Sequence, residues 1–153
     1  MDLDRQYALL DRLFASQDFD AQSLDYSILD RHVRVLEQLD AIAPGAISVF
    51  DLHRREHVYT GARFASMFDW DMAKCVDEGG RYGDTRMHPD DLLLMMQAGL
   101  QFLAQTLARP PEQRKDFKMF AEYRMLGGRN EYVRVIEQQS VLVSRHRRQR
   151  KLL

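Results

Sequence analysis

Residues 117–143 read FKMFAEYRMLGGRNEYVRVIEQQSVLV, and this stretch decides the fold. Phe117, Met119, Ala121, Tyr123 and Met125 fall on alternate positions, the period of a half-buried strand. Gly127-Gly128-Arg129-Asn130 follows as a turn signal. Tyr132 to Val143 returns with a second alternating run, so Phe117–Met125 and Tyr132–Val143 are predicted as a long antiparallel hairpin. Pairing Met125 with Glu131 sets Glu122 opposite Arg134, Phe120 opposite Ile136, Tyr123 opposite Val133 and Ala121 opposite Val135. That register gives both faces favourable cross-strand pairs.

Upstream, His88-Pro89-Asp90-Asp91 opens a helix. Proline at the first position gives up an N–H that has no helical partner there, and the aspartates meet the positive end of the helix dipole. The helix is predicted over Pro89–Leu107, stopped by Pro110-Pro111, with Leu100 and Leu103 in the core. Its run Leu92-Leu93-Leu94-Met95-Met96 calls for burial on more than one side. Earlier still, Ile47–Leu52 and Val58–Thr60 form a short hairpin around His53-Arg54-Arg55-Glu56. A short helix bearing Phe64, Met67 and Phe68 follows it, then a loop punctuated by Gly79, Gly80 and Gly83. The first 43 residues read as two helices. Leu3, Tyr7, Leu10 and Phe14 mark one; the other is capped by Ser23 or Asp25 and ends at Pro44-Gly45. The expected organisation is an N-terminal helical extension, residues 1–43, and an α+β domain, residues 44–153. The class is α+β: an antiparallel sheet with helices on one face.

The chain has 153 residues, 45% hydrophobic and 29% charged, the balance of a globular domain rather than a disordered one. No apolar run approaches the length of a membrane helix, and the polar N-terminus lacks a secretory layout, so a cytoplasmic location without membrane contact is expected. Five of the 22 basic residues lie between Arg145 and Lys151; the other 17 stand against 23 acidic residues. The body is therefore acidic and offers no electrostatic footprint for nucleic acid. Cys75 is the lone cysteine, which excludes a disulfide framework.

Val58-Tyr59-Thr60, the Phe64…Phe68 helix, His88-Pro89-Asp90-Asp91 and Glu122-Tyr123-Arg124 before a Gly-rich turn together resemble a PAS domain. Tyr132-Val133-Arg134-Val135-Ile136-Glu137-Gln138 is similar to PAS domains that precede a LuxR-type helix-turn-helix in bacterial transcription regulators. The resemblance covers roughly Ala46 to Val143. It implies a signal-sensing and dimerisation module, with DNA reached only through an output domain that this chain lacks. A third strand after the long hairpin is also implied, and Lys151-Leu152-Leu153 would begin it. The alternatives are an input module of a sensor kinase or cyclase, and an unrelated α+β enzyme with a pocket between helix and sheet.

Candidate ligand-binding residues are Phe64, Met67, Phe68, Trp70, Phe102, Tyr123, Glu137 and Gln139. The aromatic and Met side chains could line a pocket or simply be core. Glu137 and Gln139 interrupt the stripe of Val133, Val135, Val141 and Val143, and must find partners if buried. An unidentified small molecule, another side chain or water would serve. Ile28, His32, Val35, Leu39 and Ile42 form one apolar stripe of the second helix, and Leu29, Val33 and Leu36 a second. One stripe can pack on the domain while the first forms a homodimer seam. No catalytic constellation, metal site or cofactor is expected: the five histidines lack metal-ligand spacing, and Met72-Ala73-Lys74-Cys75-Val76-Asp77 does not match the cysteine motif of flavin light sensors. His88 is read as a cap.

Overall fold

The computed structural model describes residues 3–16 and 25–142. The expected cap at Ser23, Val143 and the basic segment Arg145 to Lys151 lie outside the described residues, as does Lys151-Leu152-Leu153. In chain order the elements are α1 (Leu3–Ala15), α2 (Tyr26–Ile42), β1 (Ser48–Asp51), β2 (Glu56–Thr60), α3 (Arg63–Phe68), α4 (Met72–Glu78), α5 (Gly80–Asp84), α6 (Pro89–Leu107), a 3₁₀ turn (Pro111–Asp116), β3 (Lys118–Leu126) and β4 (Tyr132–Ser140). The class is α+β. No described helix is long and apolar enough to cross a membrane.

Helix starts follow the chemistry of their caps. Asp25 accepts from Ser27 N at 3.0 Å to open α2, and Asp71 accepts from Ala73 N at 3.0 Å to open α4. His88 Nδ1 accepts from Asp90 N at 3.3 Å beside Pro89, the capping role read from the sequence. At the far end of α6, Arg114 Nε and Nη2 donate to the carbonyls of Arg109 and Leu107 at 3.0 and 3.2 Å. The glycine-rich segment expected as a loop is helical instead. Gly80 and Gly83 lie within α5, and only Gly79, at φ 59°, takes a left-handed conformation, between α4 and α5.

The four strands form two separate antiparallel pairs among the described residues rather than one continuous sheet. β1 pairs with β2 through four residue pairs and a bulge between Val49 and Phe50. β3 pairs with β4 without interruption, Lys118 opposite Ser140 through Leu126 opposite Tyr132. The expected register is therefore corrected by two residues: Tyr123 faces Val135, Met125 faces Val133 and Glu122 faces Ile136. A slip of two leaves every side chain on its face, which is why the pattern could not exclude it. Arg134 still reaches Glu122 across the diagonal in an exposed ion pair, so the charge match that suggested the other register survives in this one.

The packed centre lies at the corner where α3, α5 and β3 meet. Phe68, Tyr82 and Met125 are 4%, 3% and 6% exposed. Leu100 and Leu103, expected as core, are only half-buried, and Leu94 is 63% exposed. α6 packs along α1 and β3, and its remaining face is open.

β3 and the turn after it are fastened through their backbone to α3 and to the α5–α6 connection. His88 N donates to Arg124 O at 2.9 Å, Leu126 N to Arg86 O at 2.8 Å and Gly128 N to Phe68 O at 2.7 Å. Arg124 Nε and Nη2 grip the Asp91 carboxylate at 2.8 and 2.7 Å, and Arg124 N adds a third bond at 2.8 Å. This bidentate pair ties the start of α6 to β3. It joins the His88-Pro89-Asp90-Asp91 and Glu122-Tyr123-Arg124 motifs in one contact.

Candidate functional site

The aromatic residues expected to line one pocket separate into two places. Phe64, Phe68 and Trp70 come together, with ring centroids 6.2, 6.1 and 4.8 Å apart for the Phe64–Phe68, Phe64–Trp70 and Phe68–Trp70 pairs. Tyr82, which sequence reasoning missed, closes the cluster edge-on to Trp70 at 5.3 Å. Trp70 Nε1 donates to Leu126 O at 3.0 Å, fixing the indole against the β3–β4 turn. Met67 is exposed on the outer side of α3. Phe102 belongs elsewhere and stacks on Phe117 at 5.4 Å, beneath the C-terminal half of α6.

Tyr123, Glu137 and Gln139 do meet. They share the half-buried face of β3 and β4, where Ala121 is paired with Glu137 and Met119 with Gln139. Gln139 Nε2 donates to Glu137 Oε1 at 2.8 Å, and the same carboxylate acts on the Tyr123 phenol. Two polar residues in an apolar stripe thus satisfy each other, as groups removed from water must. Burial first, and the Glu137 charge second, push the Tyr123 pKa well above its usual value. In β2, burial lowers the pKa of His57, against the opposing pull of the Asp84 and Glu137 charges. Asp84 also accepts from the Tyr7 hydroxyl of α1 at 2.6 Å, and burial together with that bond raises Tyr7 to about 12. Three acid or base side chains and two phenols from α1, β2, α5, β3 and β4 are thereby electrostatically linked.

The predicted seam lies on α2, and the two stripes of that helix part company. Leu29, Val33 and Leu36 are half-buried, and Asp40, which continues their spacing, is buried. Asp40 Oδ2 accepts from Ala62 N at 3.0 Å, while Arg63 Nε donates to Asp40 O at 3.1 Å. At Gly61 any Cβ would run into the Asp40 carboxylate. The C-terminal end of α2 is therefore fixed to the corner between β2 and α3, and Arg54 over the Tyr26 ring at 4.0 Å holds its other end. On the other stripe Ile28 and His32 are half-buried, whereas Val35, Leu39 and Ile42 are 53%, 44% and 79% exposed. Asp40 was the signal to notice, because an acid occupying an apolar stripe marks a built contact.

Among the described residues no group of three or more His, Cys, Asp or Glu side chains is placed to hold a metal ion. Cys75 is half-buried in α4, where burial pushes the thiol above its usual pKa and keeps it protonated. The fold and these clusters define an α+β domain with two antiparallel hairpins set among helices, an internal polar cluster and an unpartnered apolar helix stripe. No family model matches the chain, and no curated protein matches it.

Proposed function

We propose that this chain is the signal-sensing and dimerisation module of a cytoplasmic transcription regulator. It is not itself an enzyme, and DNA is reached through a separate output domain. The order of elements supports a PAS-like reading: a short hairpin, short helices, a long helix opening at His88-Pro89, then a long hairpin. The carrying observation is α2. Both ends of that helix are held to the domain, yet Val35, Leu39 and Ile42 stand in a row in solvent. A fixed helix with a row of exposed aliphatic side chains suits a second copy of itself, because a two-fold contact is self-complementary. A module that passes its state to a symmetric DNA site needs such a contact.

The polar cluster of Tyr123, Glu137 and Gln139 is the proposed signal-facing element. A ligand that competed for the Glu137 carboxylate would change the bonds of β3 and β4 from inside. Static light scattering tests the dimer. The wild type should have twice the mass of one chain at concentrations well above micromolar, and Val35→Asp should be monomeric. A wild type that stays monomeric removes the dimerisation role. A Val35→Asp variant that still dimerises moves the seam away from α2.

A further inference from the structure

A cleft of about 350 Å³ opens beside the packed corner, between the end of α5, the residues joining α3 to α4, and the β3–β4 turn. It is a different place from the Tyr123–Glu137–Gln139 cluster, and its occupancy does not depend on the sensing role. Trp70 and Tyr82 form its aromatic wall, and Thr85 and Asn130 add a hydroxyl and an amide. Two opposite charges line it. Arg86 lies flat on Tyr82, its guanidinium carbon 3.4 Å from the ring centroid, and Nη1 donates to Tyr82 O at 3.2 Å. The cation is held in place by these contacts, and among the described residues no carboxylate forms an ion pair with it. Asp69 sits at a left-handed corner, φ 54° and ψ 44°, ending α3. Its carboxylate has no basic partner among the described residues either.

The corner is rigid. Gly128 N donates to Phe68 O at 2.7 Å, Trp70 Nε1 to Leu126 O at 3.0 Å, and Leu126 N to Arg86 O at 2.8 Å. A Cβ at Gly128 would collide with the Asp69 carbonyl, so the turn sits as close to this corner as a backbone can. A held cation and an exposed carboxylate on a fixed backbone corner therefore share one small cleft without forming an ion pair. From this we propose that the cleft binds a small zwitterion. Its carboxylate would take the remaining N–H groups of Arg86, whose fork suits that shape, and its ammonium group would meet Asp69. The aromatic wall against which Arg86 lies would shield the carboxylate pair from water and strengthen it.

Trp70 is the lone tryptophan of the chain and lines the cleft, so its fluorescence reports occupancy directly. The probes are glycine, β-alanine and γ-aminobutyrate, which space the two charges progressively, with propylamine and propionate as single-charge controls. One zwitterion should give a saturable change with half-saturation below about 1 mM. Each single-charge control should need at least about tenfold more. Arg86→Gln and Asp69→Asn should each weaken binding by at least about tenfold, with circular dichroism confirming that both remain folded. Asparagine tolerates the left-handed corner, so the second variant keeps the backbone. No saturation by any zwitterion up to about 10 mM overturns the proposal. So does propionate binding as tightly as the best zwitterion. The control ligands decide the matter on the wild type alone, even if a variant misfolds.

Discussion

The two hairpins of this domain are held in different ways. β3 and β4 run nine residues each in uninterrupted register, and backbone groups at Arg124, Leu126 and Gly128 bond to His88 and Arg86 in the α5–α6 connection and to Phe68 at the end of α3. β1 and β2 have four and five residues, carry a bulge, and meet the helices largely through side chains. Phe14 stacks on Phe50 at 5.9 Å, Arg55 stands 3.9 Å from Asp11, and Arg54 covers Tyr26. Backbone bonds are short-reaching and leave little freedom of position, whereas ring stacks and exposed ion pairs tolerate displacement and contribute little each. The long hairpin is the frame of the molecule. The short hairpin, with α2 attached to it, is the part that can respond.

Substitutions should separate the two regions, with the largest losses in the frame. Met125→Ala empties a buried position where β3 meets the helical corner, and should cost about 2–5 kcal/mol in denaturant unfolding. Gly128→Ala forces a methyl group against the Asp69 carbonyl and should cost about 1–3 kcal/mol, since the backbone there has nowhere to move. Asp40→Ala removes the acceptor for Ala62 N and should cost about 1 kcal/mol, while freeing the C-terminal end of α2. Phe50→Ala, on the short hairpin, should cost under about 1 kcal/mol, because that ring is already partly in solvent.

The smallest effect concerns acid. The Arg124 hydrogen bonds hold Asp91 down to about 2, below its usual carboxylate range. A carboxyl whose folded pKa is depressed adds stability that is complete above its unfolded value. That stability is lost as pH falls from about 4 toward 2. Because the Arg124 side of the pair is open to solvent the change is modest. Asp91→Asn should flatten the unfolding midpoint over that window relative to the wild type. An unchanged slope would mean that Arg124 does not hold the carboxylate in solution.

Much of this arrangement could be read in the residues, and the misses have physical causes. His88-Pro89 and the proline pair at 110–111 bracketed α6, because proline permits one conformation at a helix start and blocks its continuation. The β3–β4 turn was visible partly through Asn130, at φ 60°, an angle few residues adopt, whereas the β1–β2 turn sets Arg55 at φ 58° and carries no such signal. The register of β3 and β4 was not, because a slip of two keeps each face and leaves Glu122 within reach of Arg134. The core was expected along α6 at Leu100 and Leu103, yet the tightest packing gathers at Phe68, Tyr82 and Met125. Periodicity tells which face of one element is apolar but not which elements converge. The same limit hid the Asp91–Arg124 grip and the Arg86–Asp69 cleft, whose partners lie 33 and 17 positions apart in the chain. The polar pair at Glu137 and Gln139 was legible as a demand for partners, although their bond to each other was not.

Native-state hydrogen exchange, resolved by peptide, compares frame and responsive region without any substitution. Paired amides of β3 and β4 should exchange at least about tenfold more slowly than those of β1 and β2, corresponding to local opening free energies at least about 1.4 kcal/mol apart. Protection of β1 and β2 equal to or greater than that of β3 and β4 would contradict the division of this domain into a fixed long hairpin and a movable short one.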